Sequence, residues 1–119
     1  MQTRLTFLSV QVRNLDISRE FYGRALGFEP AEHSPPGAVV FRDAQGATFA
    51  LRTPLPHTDP EQAFGVGVSL WFAVADVDAA HTQVEAGAGQ PPTAPQPGPF
   101  GRMFMVQDPD GYQLTLYQP

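Results

Sequence analysis

The length, composition and charge of the chain already exclude several classes of protein. With 119 residues and a mass of 12.9 kDa, the chain has the size of one ordinary domain with a buried core. A hydrophobic fraction of 42% and a charged fraction of 16% indicate a globular rather than a disordered protein. The net charge of −5 argues against a nucleic-acid-binding protein, because such proteins present a basic face. The absence of Cys excludes disulfides and zinc–thiolate sites, and the absence of Lys excludes Schiff-base chemistry.

The sequence also lacks the signals of membrane insertion and export. No apolar stretch approaches the roughly 20 residues that a membrane-spanning helix needs. Residues 1–12 lack the long apolar core and small-residue cleavage site of a signal peptide. We therefore expect no membrane partner and a cytoplasmic location.

The first half of the chain predicts a strand, a helix and three further strands. Residues 5–12 alternate between apolar and other side chains, which is typical of a strand. Asn14 and Asp16 are suited to cap a helix that ends at Gly27, because short side-chain oxygens accept hydrogen bonds from the free N–H groups of a first turn. The apolar positions of that helix are Ile17, Phe21, Ala25 and Leu26. The remaining strands are predicted over Phe28–Glu32, Ala38–Arg42 and Thr48–Thr53, with a hairpin turn at Asp43–Gly46.

The second half repeats this order of elements. A strand is predicted over Val68–Val74, and a helix with Asp76 and Asp78 as candidate caps follows it and ends at Gly87 or Gly89. Five Pro in residues 91–99 predict an extended, irregular loop. The last elements are two strands and the turn between them, at Met103–Gln107, Gln113–Tyr117 and Asp108–Gly111.

Matching residues recur between the two halves at nearly constant offsets. Positions in the first strand and helix recur 62 residues later, and positions in the last hairpin recur 65 residues later. Examples are Val12 with Val74, Asp16 with Asp78, Asp43 with Asp108 and Gly46 with Gly111. We therefore predict an α+β protein of two tandem β-α-β-β-β modules, residues 1–56 and 66–119, joined by a linker at 57–65 within one compact domain. Each module leaves one face of its sheet uncovered, so paired modules are expected to form a curved mixed sheet around a central cavity.

Two sets of motifs, one in each half, follow the order of the predicted elements. They are Val12-Arg13-Asn14-Leu15-Asp16, Phe21-Tyr22, Leu26-Gly27-Phe28, Pro99-Phe100-Gly101-Arg102-Met103-Phe104 and Asp108-Pro109-Asp110-Gly111-Tyr112. These motifs resemble the vicinal oxygen chelate superfamily, which includes glyoxalase I, extradiol dioxygenases, fosfomycin-resistance enzymes and bleomycin-resistance proteins. The resemblance covers essentially the whole chain and implies the fold just described, while the function differs between members.

The resemblance also implies where a metal would be bound. Metal-dependent members of the superfamily place one ligand, usually His, Gln or Glu, on the first and on the last strand of each module. The matching positions here are Phe7, Ala50, Ser69 and Thr115. None of them carries an imidazole, carboxylate or amide, the donors that divalent ions need. The resemblance therefore implies a member without metal, cofactor or catalytic residues, similar to binding proteins that sequester antibiotics such as bleomycin.

Strand alternation predicts which side chains line the cavity. Trp71 and Phe7 are suited either to stack on a planar ligand or to pack in the core. Arg52 and Arg102 are suited either to bind a carboxylate or phosphate or to brace the surface and turns. The predicted ligand-binding residues are Phe7, Ser9, Gln11, Ala50, Arg52, Ser69, Trp71, Phe100, Arg102, Phe104, Gln113, Thr115 and Tyr117.

Three functions remain open from the sequence. The first is a homodimeric, metal-free protein that binds a small molecule. Its aromatic residues suit a planar ligand, and its acidic charge suits a cationic one. The second is a metal-dependent glyoxalase-like lyase or isomerase, or a dioxygenase, with unusual ligands. Such a metal would be bound by at least two of His33, His57, His81, Glu29, Glu32 and Glu61. The third is a structural or regulatory dimer module.

Overall fold

Two three-stranded mixed sheets form the framework of the protein in a computed structural model that describes residues 1–43, 48–87 and 89–119. In the first sheet, the strand order is β1-β3-β2, with β1 parallel and β2 antiparallel to β3. The second sheet repeats this arrangement as β4-β6-β5. The strands are β1 (Phe7–Gln11), β2 (Ala38–Arg42), β3 (Thr48–Arg52), β4 (Ser69–Ala73), β5 (Arg102–Gln107) and β6 (Gln113–Gln118). The predicted α+β class and the repetition of one topology are confirmed.

One of the four strands predicted for the first half, Phe28–Glu32, does not form. The segment at residues 28–32 makes one isolated bridge to β2, between Pro30 and Phe41. Proline has no N–H to donate, so the ladder is not extended at this position. The Ala31 amide donates to the Val40 carbonyl at 2.7 Å, and pairing ends there. A turn is also predicted at Asp43–Gly46, and residues 44–46 of it lie outside the described residues.

The proline-rich segment at residues 91–99 is extended, as predicted, and runs beside β5. The backbones of Gln96 and Met103 exchange two hydrogen bonds of 2.8 Å. Thr93 accepts the Met105 amide on its hydroxyl at 2.8 Å. Side-chain and backbone hydrogen bonds thus cover the outer edge of β5, although prolines prevent a regular strand.

The first helix begins as predicted and then widens. Helix α1 (Leu15–Glu20) is capped by Asn14, whose side chain accepts the Ile17 amide at 3.0 Å. A π-helical turn at Phe21–Ala25 follows, and Gly27 leaves the helical path with φ of +76°. The expected apolar spacing is wrong at Ile17, which is exposed. The widened turn brings both Phe21 and Tyr22 into the core, so the buried face no longer follows a spacing of 3.6 residues.

Helix α2 (Val77–Gly87) ends at the first of the two predicted glycines. Asp76 caps it by accepting the Ala79 amide at 3.1 Å. The two helices approach closely, since a Cβ added to Gly87 would lie 3.3 Å from the Ala25 Cβ. No helix within the described ranges is long and apolar enough to cross a membrane.

The core lies between the helices and one face of each sheet. Alternate residues of β4, β5 and β6, such as Leu70, Phe104 and Leu116, are buried on this face. Phe72 on β4 lies edge-on to Phe28 and Phe49 of the first half, with ring centroids 5.1 and 5.7 Å apart. One hydrophobic cluster therefore contains residues of both sheets.

Polar bonds join the two halves beside this core. The turn Asp108-Pro109-Asp110-Gly111 packs against the start of the first helix, and we call this contact the seam. The buried Tyr22 hydroxyl donates to Asp108 Oδ2 at 2.8 Å, while Asp108 Oδ1 accepts the amides of Asp110 and Tyr112 at 2.9 Å. The Asp110 carboxylate accepts from Arg13 Nη1 at 3.2 Å. This turn therefore connects two strands and also holds the second half against the first.

Candidate functional site

Each sheet has one face covered by helices and one open face. The open face of the first sheet carries alternate residues of β1 and β3, namely Phe7, Ser9, Gln11, Ala50 and Arg52. The open face of the second sheet carries alternate residues of β4 and β6, namely Ser69, Trp71, Ala73, Gln113, Thr115 and Tyr117. Ala50 and Thr115 are buried because they lie on the central strands, flanked by neighbours on both sides. Most of the predicted ligand-binding residues thus share these two surfaces.

Three aromatic rings meet on the open face of the second sheet. The Trp71 ring lies 5.6 Å from Phe100 and 5.8 Å from Tyr117, measured between centroids, and the last two are 6.3 Å apart. Trp71 is 40% exposed and Phe100 is 65% exposed. We call these three residues the aromatic cluster. Aromatic area that remains accessible beside a packed core is typical of a binding surface.

A glycine holds Phe100 in this cluster. Gly101 has φ of +129°, and an added Cβ would collide with the Gln118 carbonyl oxygen. Only glycine lets the chain come so close to the end of β6. Because Tyr117 precedes Gln118, this close approach brings the ring of Phe100 next to that of Tyr117.

The open face of the first sheet combines an exposed ring with polar groups. Phe7 is 49% exposed and Ser9 is also exposed. The Gln11 side chain is occupied, since its oxygen accepts from the Leu55 amide at 2.9 Å and the Thr58 hydroxyl at 2.6 Å. Arg52 is half-buried, and its Nε donates to the Thr53 carbonyl at 3.1 Å.

Arg102 and Phe104 are placed away from the open faces. Arg102 forms an ion pair with Asp78 through an Nη2–Oδ1 distance of 2.9 Å. This hydrogen bond raises the pKa of the Arg102 guanidinium and lowers the pKa of the Asp78 carboxyl. Phe104 is fully buried, with its ring edge-on to His81 at 5.1 Å. Both side chains therefore already have partners within the fold.

A cavity of about 600 Å³ lies between the two halves. Its wall joins the aromatic core to the open face, because Trp71 contributes to it together with rings from the covered side. Charged residues of both signs also line it, including Arg42 and Glu29. The rings that line it are those of Phe28, Phe41, Phe49, Trp71 and Phe72.

The motifs and the fold agree with one protein family. The family model of the glyoxalase/bleomycin resistance protein/dioxygenase superfamily matches residues 4–116. The chain belongs to this superfamily. An uncharacterized protein of Mycolicibacterium smegmatis is 32% identical to it over 121 residues, which cover 99% of this chain and 94% of that protein.

Solved structures of other proteins have the same fold. TnmS3, an antibiotic binding protein from Streptomyces sp. CB03234, superimposes with a TM-score of 0.77 at 24% identity, covering 99% of this chain and 97% of its own. A glyoxalase/bleomycin resistance protein from the same organism gives a TM-score of 0.73 at 25% identity, covering 94% and 97%. These similarities confirm the superfamily fold.

The residues predicted to match the superfamily's metal positions do not offer the donors that a divalent ion needs. Phe7 and Ala50 offer no donor, and Ser69 and Thr115 offer only hydroxyls. Within the described ranges, no three His, Asp or Glu side chains converge as a metal site would require. Among the alternative ligands, His81 packs on Phe104. His33 and Glu32 lie 3.9 Å apart at the surface, as a pair rather than a group of three.

The seam is the feature that the sequence analysis did not anticipate. Burial raises the pKa of Asp108, against the opposing effect of the hydrogen bonds that it accepts from Tyr22, Tyr112 and Asp110. Burial and the adjacent Asp108 carboxylate hold the pKa of Tyr22 well above its usual range. The turn motif identifies Asp108, but no local pattern indicates that its partner lies 86 residues earlier in the chain.

Proposed function

We propose that this protein binds a planar aromatic small molecule on its open faces, without a metal and without catalysing a reaction. The observation that carries the proposal is the accessible aromatic cluster of Trp71, Phe100 and Tyr117. Aromatic stacking contributes about 0.5–1.5 kcal/mol per ring beyond the burial of area. Because the strands of this face carry hydroxyl and amide groups and, in the described part of the chain, no Asp, Glu or His, the cluster is suited to retain a ligand rather than to transform it.

The proposed functional unit is a homodimer. The open face of a single sheet is too exposed to enclose a ligand, and large exposed residues such as Phe7 and Val68 lie near it. Pairing the first module of one protomer with the second module of its partner would cover both open faces at once. The cleft between them would then be walled by the aromatic cluster on one side and by Phe7 on the other.

Antibiotic sequestration is the most concrete form of this proposal. It is supported by superfamily membership and by the description of TnmS3 as an antibiotic binding protein. A sequestering protein needs affinity and shape but no reacting groups, in keeping with the absence of suitable donors at Phe7, Ala50, Ser69 and Thr115.

Binding of planar compounds to the wild type and to Trp71→Ala provides the test. Isothermal titration calorimetry with a panel of anthraquinone-type and bleomycin-type compounds should show binding that Trp71→Ala weakens at least tenfold. Ile17→Ala, which removes an exposed apolar side chain from a helix, is the matched control and should bind as the wild type does. Equal affinities of the wild type and Trp71→Ala would contradict the proposal.

The metal-free part of the proposal has its own measurement. After incubation with nickel, zinc, iron, manganese or cobalt and desalting, mass spectrometry should find less than about a tenth of an equivalent of each ion. Close to one equivalent of any ion would favour a metal-dependent enzyme instead.

A further inference from the structure

We propose that the ligand of the open faces carries an anionic group, such as a carboxylate, and that Arg52 binds this group. The inference rests on the proposed function and names the chemical class of its ligand. It replaces the expectation of a cationic ligand, which the net charge of −5 suggests.

The acidic residues are segregated from the sheets. None of the six strands in the described part of the chain contains Asp or Glu, although the protein has twelve acidic residues. Three of the seven arginines, in contrast, lie on strands: Arg42, Arg52 and Arg102. The open face of the first sheet therefore carries Arg42 and Arg52 and no acidic residue of a strand, although the net charge of the protein is negative.

Among these three arginines, Arg52 is the one that an anion on the open face can reach. Arg102 is already paired with Asp78 at 2.9 Å. Arg42 shares its cavity with Glu29, so that the cavity has mixed charge. Arg52 instead lines a separate groove of about 350 Å³, and no carboxylate is among the described residues that line this groove.

The hydrogen bond of Arg52 leaves its outer edge available. Its Nε donates to the Thr53 carbonyl at 3.1 Å, which fixes the plane of the guanidinium. The two terminal nitrogens make no hydrogen bond to any of the described residues. A guanidinium held in this way presents two N–H donors to a carboxylate without a further loss of side-chain freedom.

The surroundings of Arg52 are suited to an amphipathic molecule. The exposed Ser9 hydroxyl lies diagonally across from Arg52 on the same face, because Ser9 pairs with Ala50 and Gln11 with Arg52 in the ladder. The groove presents polar and apolar surface in nearly equal parts, with Val66 and Val68 exposed along it. An aromatic body with one acidic group fits a surface of this composition better than an aliphatic polyanion does.

Three compounds with the same ring and different charge test the inference. The probes are 2-naphthoate, neutral 2-naphthamide and cationic 2-naphthylmethylamine, titrated into ¹⁵N-labelled protein at pH 7. Affinities come from NMR chemical shifts, and the Arg52 Nε–H signal reports direct contact. We expect the carboxylate to bind about tenfold more tightly than the amide, the size of one charge-assisted interaction, and the amine to bind most weakly.

Variants separate Arg52 from the general charge of the protein. Arg52→Gln should abolish the tenfold preference, so that the carboxylate and the amide bind with equal affinity. Arg19→Gln removes the same charge from the exposed end of α1 and should keep the tenfold preference. Added salt should weaken carboxylate binding more than amide binding.

The outcomes distinguish this inference from the proposed function. If the amine binds as tightly as the carboxylate, or if Arg52→Gln keeps the preference, the inference is wrong and the binding function stands. If none of the three probes binds to the wild type and the planar panel also fails, the proposed function is wrong and the inference with it.

Discussion

The two faces of the second sheet carry similar aromatic side chains, but these are buried on one face and accessible on the other. On the covered face, Phe104 and Phe72 pack with Leu70 against helices and the first half of the chain. On the open face, Trp71 and Tyr117 make ring contacts with Phe100 and remain accessible. Alternation along a strand separates the two sets, so one residue step changes a side chain from core to surface.

Polar groups show the same contrast. At the seam, Asp108 has a hydrogen-bond donor for each of its carboxylate oxygens, and Tyr22 is buried against it. On the open face, Arg52 lines the groove and has one hydrogen bond to its own backbone neighbour, while its two terminal nitrogens have no partner among the described residues. A satisfied buried group stabilises a fold, whereas an accessible unsatisfied one is suited to a ligand. Substitutions on the covered side should therefore change stability, and those on the open side should change binding.

Phe104→Ala should have the largest effect on stability. The ring is fully buried, and removing it leaves a cavity that the sheet and α2 cannot fill. Deleting a buried Phe costs about 3–5 kcal/mol of unfolding free energy. Urea denaturation followed by circular dichroism measures this loss. A loss below about 1 kcal/mol would contradict the placement of Phe104 in the core.

Asp108→Ala should come next, because it breaks the seam. It leaves the Tyr22 hydroxyl and the amides of Asp110 and Tyr112 without their acceptor. Each unsatisfied buried donor costs about 1–3 kcal/mol, so a loss of roughly 3 kcal/mol is expected after some relaxation. Asp108→Asn keeps one acceptor oxygen for the two amides and should lose less than half as much. Equal losses for the two variants would show that the hydrogen bonds are not the cause.

The same residue predicts a pH dependence. Burial raises the pKa of Asp108 in the folded state, so the group favours folding most below its unfolded pKa, and this contribution is lost as pH rises through the folded pKa. The stability advantage of the wild type over Asp108→Asn should therefore shrink between pH 3 and pH 7. The ion pair of Asp78 has the opposite dependence, but it is present in both proteins and cancels. Urea denaturation of both proteins across this range measures the difference in unfolding free energy. A difference that grows with pH would contradict the prediction.

The sequence predicted the fold better than the detailed contacts, for physical reasons. Caps and turns are local, so Asn14, Asp76 and Gly27 behave as their patterns indicate. Pro30 is also a local signal against a strand at residues 28–32. A strand was nevertheless predicted there because the β-α-β-β-β module requires one. The contact of Asp108 with Tyr22, however, depends on how the halves pack, and that of Arg102 with Asp78 depends on how α2 packs beside β5. No spacing along the chain encodes either. Alternation placed Trp71 on the open face, but only the structure shows Phe100 beside it.

Trp71→Ala should have the smallest effect on stability, although Trp71 is the largest side chain of the open face. Its ring is 40% exposed, and its edge contacts with Phe100 and Tyr117 lie outside the core. We expect a change in unfolding free energy below about 1 kcal/mol, because little buried area is lost and no cavity forms. Urea denaturation beside Phe104→Ala makes the comparison direct. A loss as large as that of Phe104→Ala would mean that the aromatic cluster is part of the core, and a small loss would leave ligand binding as the role of Trp71.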